Sequence, residues 1–229
     1  MIFVLQSVSM EERQKQALEA LLSGDMMMAI SILREVVPMT EECHGAESLE
    51  TAQSVFTLAL CIFQADRSEE SLAETEMFAR KAFEIRRKIR GDVDASVAIT
   101  SELLISVYQL MEKYQEAESM CRVSLDIAER LVGTQHVNTG KAQYRLARVL
   151  TLLGTKLEEA TELLEKCTET RRRLFGPNSE ETVQSMTALA EVWEKRGNPE
   201  KAKEVLIEAE NLDRLIDRSA LAPNQQCMR

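Results

Sequence analysis

Small and apolar residues recur along this chain in two alternating stripes. One, spaced 0, +4, +7, occurs at Ala29/Leu33/Val36, Thr75/Ala79/Ala82, Ala117/Cys121/Ser124, Ala160/Leu164/Cys167 and Ala202/Leu206/Ala209. That spacing returns to one side of an α-helix, so each triplet predicts a helix with a narrow face of small side chains. The other, spaced 0, +3, +4, +7, lies ahead of these helices at Val55/Leu58/Ala59/Ile62, Ser101/Leu104/Ile105/Tyr108, Gln143/Leu146/Ala147/Leu150 and Met186/Leu189/Ala190/Trp193. It predicts a partner helix. A more polar version, Arg13/Gln16/Ala17/Ala20, precedes Ala29 and suits a terminal repeat with one face to water. Each unit is therefore an antiparallel pair, helix A then helix B, joined by a short turn such as Ser23-Gly24-Asp25 or Gly197-Asn198-Pro199.

Sixteen residues after the first member of the B stripe stand Gly45, Gly91, Gly133 and Gly176, while the fifth unit reaches Arg218 instead. Glycine closes a helix in the left-handed conformation without a Cβ clash, so the B helices are expected to end there. The expected units are 9–45, 46–91, 92–133, 134–176 and 177–217, after a leader of residues 1–8 and before a flexible tail of residues 218–229. The first unit departs from the pattern. Pro38 removes a backbone donor inside its B helix, and Glu41 and Glu42 fall at the negative end of the helix dipole, so this helix is expected to kink or stop near Val37.

The spacing of Trp193, Gly197, Ala202 and Ala209, echoed by Leu150, Gly154, Ala160 and Cys167, resembles the tetratricopeptide repeat (TPR). The distance of 42 to 46 residues between successive glycines is similar to the longer-helix repeats of kinesin light chains. The resemblance implies an all-α fold, a right-handed α-solenoid of five antiparallel helix pairs, acting as a protein-binding scaffold or adaptor. In such proteins the A helices line a concave surface, and residues off the packing stripe hold a partner's peptide or helix. Carried over position by position, this points to Gln14 and Leu18 in the first unit and to Gln53, Phe56, Leu60 and Phe63 in the second. The third supplies Ile99, Glu102 and Ser106, the fourth Lys141, Tyr144 and Arg148, and the fifth Gln184, Thr187 and Glu191. Such a groove suits apolar anchors followed by an acidic group that meets Lys141 and Arg148. Phe56 and Leu60 admit a second reading, as apolar residues covered by neighbouring helices. The Lys and Asn clamps of chaperone-tail-binding members and the paired asparagines of kinesin light chains are missing from the matching places, so neither ligand is implied.

Composition narrows the function further. Only 8 Gly and 4 Pro in 229 residues agree with an all-helical chain. A net charge of −10 repels phosphate backbones, so the three arginines in TRRRLFGPNSEE (170–181), and their counterparts in IRRKIRGDVDAS (85–96) and IAERLVGTQHVN (127–138), are read as architecture and not as a nucleic-acid grip. Their cations sit in the last helical turn at the negative end of the dipole, and Glu84/Lys88, Asp126/Arg130 and Glu169/Arg173 are expected as i,i+4 pairs. Cys43, Cys61, Cys121, Cys167 and Cys227 include no CxxC pair, and Cys121 and Cys167 fall on the buried stripe, so reduced packed thiols and a cytoplasmic location are expected. The opening MIFVLQSVS has no basic leader or cleavage site and is not read as a signal peptide, and no membrane-spanning run follows. His44 and His136 lie in turns without ligand partners at helical spacing, which favours solvated or helix-capping roles. Trp193 is expected in the core. No phosphate loop, nucleophile elbow or zinc-protease helix occurs, so no catalytic residue, cofactor or metal is expected. The partner is expected to be a protein, with neither nucleic acid nor membrane bound, and a monomer is favoured over the alternative of a subunit that oligomerises through its array.

Overall fold

The two stripes become ten α-helices joined by tight turns in a computed structural model that describes the backbone of residues 2–220 and the side chains of residues 10–213. The first five are α1 (Ile2–Ser23), α2 (Met26–His44), α3 (Leu49–Ala65), α4 (Glu69–Arg90) and α5 (Ala95–Leu110). The others are α6 (Tyr114–Val132), α7 (Val137–Leu153), α8 (Leu157–Phe175), α9 (Glu180–Lys195) and α10 (Pro199–Ala220). Odd-numbered helices carry the A stripe and even-numbered ones the B stripe. The first A helix takes in residues 2–8, and α10 continues to Ala220. Cys227, with the rest of residues 221–229, lies outside the described residues.

Short polar side chains start several of the helices. Ser48 Oγ accepts from the Thr51 amide (3.1 Å), Asp94 Oδ1 from Ser96 (2.8 Å) and Ser179 Oγ from Thr182 (3.2 Å), each satisfying an amide that has no partner within its helix. His136 is a cap as well, its Nδ1 accepting from the Asn138 amide at 3.1 Å. At the other end, Gly45, Gly91 and Gly176 have φ of 90°, 84° and 91° with ψ of 150°, 178° and 163°. Their φ is positive as expected, but ψ lies far from the left-handed helical value, in a region that only glycine occupies at low cost. The extended ψ turns the chain away from the helix and leaves the glycine carbonyl open. After Gly45 and Gly176, and likewise after Gly133, a threonine six residues on then fills it. Thr51, Thr139 and Thr182 donate their hydroxyls to Gly45, Gly133 and Gly176 at 2.8, 2.6 and 3.0 Å, so each loop is closed by the first turn of the next helix.

The helix through Pro38 does not stop near Val37. It runs unbroken from Met26 to His44 with Pro38 exposed on its outer side. Two residues beyond, the buried Thr40 donates its hydroxyl back to the Val36 carbonyl at 2.8 Å and lies 3.3 Å from Ser54 Oγ of α3. Glu41, placed unfavourably for the dipole, meets Lys81 of α4 at 2.5 Å. Packing on the next helix thus outweighs the lost backbone bond.

The chain divides into two compact units, residues 1–123 and 124–229, with the boundary inside α6. In the first, α1 packs on α2, α2 on α3, α3 on α4 and α4 on α5. Its interior is built from Ala29, Ala52, Val55, Ala59, Ala79 and Ala82 against the larger Leu58, Leu104, Ile105 and Tyr108. In the second, α7 packs on α8, α8 on α9 and α9 on α10, around Ala147, Ala160, Ala190 and Ala202 with Leu146, Leu150, Leu164 and Met186. Alanine at the stripe positions lets helix axes approach closely while the larger residues fill the space between. Trp193 departs from expectation. It is half-buried, with Arg196 (4.5 Å) and Lys201 (4.4 Å) over its ring, so cations cover the indole where apolar neighbours were expected.

Candidate interaction surface

The arginine runs at the ends of α4 and α8 are consumed by the fold, residue by residue. The first arginine of each run is buried, Arg86 to 4% exposure and Arg171 to 7%. Arg86 lies over the ring of Phe56 from α3 at 4.4 Å. It donates forward to α5, to the Ser96 carbonyl (3.2 Å) and Thr100 Oγ1 (2.6 Å), and back to Gln53 Oε1 of α3 (2.8 Å). Arg171 repeats this in the second unit. It lies over Tyr144 of α7 at 4.6 Å and donates forward to the Glu181 carbonyl (2.6 Å) and Gln184 Oε1 (3.3 Å) of α9. One planar fork thus ties a B helix to its own A helix by stacking and to the following A helix by hydrogen bonds. Burial pulls the Arg86 pKa down and the charge of Asp94 opposes it.

The remaining cations of the runs depart in part from the expected i,i+4 pairs. Asp126 and Arg130 do pair, at 3.4 Å. Lys88, however, meets Glu47 at 2.5 Å in the loop before α3, and Arg173 donates to both the side chain and the carbonyl (3.0 Å) of Gln135 in the loop before α7. Arg87 pairs with Asp92 at 2.5 Å and Arg172 with Glu208 of α10 at 3.0 Å. In a helix pair the end of B lies beside the start of A, so loop acceptors compete with those one turn back. The buried arginines were not legible as such. Their signal is an Arg at the fifth position before the closing glycine, with an aromatic at the matching place of the preceding A helix.

The predicted groove residues fare differently. Phe56 is buried beneath Arg86, and Tyr144 is half-buried beneath Arg171, so both rings are engaged in the latches. Phe63 is half-buried with Arg67 over its ring at 4.0 Å, and Leu60 is half-buried. Ile99, Glu102, Lys141 and Thr187 are exposed, Ile99 to 54%. Arg148 forms an ion pair with Glu191 of α9, which occupies its charge. In the first unit a cleft of about 320 Å³ opens between α1 and α3 over α2, floored by Ala17, Leu33 and Val36 and edged by Leu18, Gln53 and Thr57. Among the described residues no group of His, Cys, Asp and Glu could hold a metal ion, and no helix is long and apolar enough to cross a membrane. Cys61, Cys121 and Cys167 are buried, and burial pushes the Cys61 and Cys167 thiols up, away from the reactive thiolate.

The tetratricopeptide repeat profile matches residues 96–156 and 155–214, together just over half of the chain. A clustered mitochondria protein homolog from Ajellomyces capsulatus is 27% identical over 124 residues, 54% of this chain and 10% of that protein. Its Aspergillus niger counterpart is 24% identical over 164 residues, 72% of this chain and 13% of that protein. The chain thus spans about a tenth of the length of these curated relatives. Among solved structures, the nearly identical TPR-like repeats of a kinesin-light-chain-like protein from Podosopora anserina superpose with a TM-score of 0.75 at 20% identity, covering 92% of this chain and 97% of that one. BtubC (BKLC) from P. vanneervenii gives 0.71 at 17% identity, covering 99% and 93%. This is the fold of a protein-interaction scaffold, typically non-catalytic. Helix pairs, closing glycines and the matched profile agree, and the chain belongs to the tetratricopeptide repeat family.

Proposed function

We propose that the chain serves as an adaptor or assembly scaffold that holds a peptide or helix of a partner protein against the A-helix faces of its repeats. The observation that carries this reading is the open cleft between α1 and α3, where Leu18 stands exposed at the edge of an apolar floor. Helix pairs hold such a surface rigid before the partner arrives, so ordering costs fall on the ligand alone. Leu60, Phe63, Ile99 and Glu102 extend the contact surface of the first unit, and Lys141, Tyr144, Arg148 and Thr187 supply that of the second. An acidic group on the partner meets Lys141; at Arg148 it competes with Glu191. That the clustered mitochondria relatives carry the matching segment as a small part of a long chain supports reading it as a module for interaction.

Affinity capture on the immobilised chain, with bound proteins identified by mass spectrometry, tests this. Partners retained by the parent are expected to be lost with Leu18→Glu and Ile99→Glu together. Retention of every partner by that double variant refutes the A-face assignment, and binding that survives Lys141→Glu with Arg148→Glu removes its electrostatic part. A second reading, self-association, is favoured by the exposure of Leu131, Val132, Leu174 and Phe175 at the B-helix ends of the second unit. Sedimentation decides it: a dimer that Leu174→Asp with Phe175→Asp dissolves would place the partner in a second copy of the chain.

A further inference from the structure

In the second unit a cleft of about 540 Å³ is bordered by α6, α7 and α8. Gln143 lines it from the first position of the A-helix stripe, where the neighbouring repeats have Val55, Ser101 and Met186. Val55 and Met186 are apolar, and Ser101 donates its hydroxyl to the Ala98 carbonyl of its own helix at 2.7 Å. Gln143 is 3% exposed and its Oε1 has no hydrogen-bond partner. Buried acceptors are almost always met by a donor, and a core position that gives up an apolar residue for an unmet acceptor, in the lining of a cleft, calls for a donor from outside.

The rest of the lining says which donor. Glu129, Glu165 and Glu169 carry three carboxylates against the single cation of Lys166. Arg173, the other nearby cation, is already committed to Gln135. A bare metal ion does not fit, since among the described residues no acidic group converges closely enough to hold one. A cationic donor satisfies both the floor and the rim. A guanidinium has five N–H donors in a plane, enough to give one to Gln143 Oε1 while others meet the carboxylates, whereas an ammonium has three around a point.

We propose that this cleft receives an arginine side chain of a partner protein, with Gln143 Oε1 as the acceptor at its floor and Glu129, Glu165 and Glu169 as its counter-charges. The lining of this cleft includes none of Leu18, Ile99, Lys141 and Arg148, so either assignment can fail alone.

The full chain, labelled with nitrogen-15, is titrated with Nα-acetyl-arginine amide, with its neutral isostere Nα-acetyl-citrulline amide and with Nα-acetyl-lysine amide, while the Gln143 side-chain amide and, in every variant, the backbone amides of Thr134 and Thr170 in the lining are followed by NMR. The arginine compound is expected to shift that resonance saturably and to bind about tenfold or more tightly than the citrulline compound. Glu165→Gln with Glu169→Gln is expected to weaken it by a similar factor. So is Gln143→Met, which places at this position the residue that the next repeat already accommodates, and whose folding is checked by circular dichroism. No saturable shift at Gln143, an equal response to citrulline, or unchanged arginine binding in Gln143→Met would each overturn the proposal. Equal affinity for the lysine compound would overturn the choice of arginine.

Discussion

Arg171→Ala is the sharpest test of how the repeats are held together. Arg171 is almost fully buried and gives a short hydrogen bond to the Glu181 carbonyl (2.6 Å), a longer one to Gln184 Oε1 (3.3 Å) and a stacking contact to Tyr144 (4.6 Å). Hydrogen bonds from a charged donor contribute about 1.5–3 kcal/mol net, and stacking of a cation on a ring about 1 kcal/mol more. Removing the charge recovers part of its desolvation cost while opening a cavity, so the loss is expected at about 2–4 kcal/mol. The only tryptophan of the chain, Trp193, sits on α9, the helix that Arg171 grips, and its fluorescence in urea follows this unit directly. With a slope of about 2 kcal/mol per M, the midpoint should fall by about 1–2 M. Arg171→Lys should fall nearly as far, because an ammonium cannot both stack and reach two acceptors. A midpoint for Arg171→Ala within about 0.3 M of the parent, or an Arg171→Lys curve that overlays it, would refute the latch as a stabilising device.

Two further outcomes follow from the packing. Gly140→Ala should raise the melting temperature by about 2–4 °C through helix propensity, since the added Cβ meets only Thr170 Cγ2 at an ordinary 3.7 Å; a lower melting temperature would show that α7 and α8 need the closer approach. Burial pushes the phenol of Tyr108 up from 10.0 to about 12, with the Arg80 guanidinium, which donates to its hydroxyl at 2.6 Å, opposing the shift. A raised folded pKa means that this contribution is intact below pH 10 and is lost as pH rises towards 12, so alkaline unfolding should be weaker in Tyr108→Phe; phenolate absorbance in which every tyrosine titrates near 10 would contradict it.

The helix pairs were legible because their cause is local and periodic. Ala29/Leu33/Val36 and its repeats can bury one face only as a helix. The stop expected at Pro38 does not occur, for the opposite reason. Its local cost is real, but Thr40 packed against α3 and Glu41 paired with Lys81 hold the helix through it. Lys88 and Arg173 were assigned to acids one turn back, while Glu47 and Gln135, some forty residues earlier, reach them first. The candidate surface divides the same way. Ile99, Lys141 and Thr187 stand exposed, but Phe56 and Tyr144, in the same register as Thr187, are drawn under arginines.

The sequence by itself determined the helical class, the pairing of A with B, the turns and the glycine ends, since each follows from periodicity or from the φ that one residue tolerates. Only the tertiary structure decided which charges are spent inside the protein. Hydrogen bonding and stacking depend on distances across helices, and two arginines with the same neighbours in sequence, Arg171 and Arg172, meet quite different partners because successive residues on a helix point about 100° apart. The same reason separates Gln143 from Val55 and Met186: one stripe position, read identically along the chain, becomes an unmet acceptor at a cleft only when the helices around it are in place.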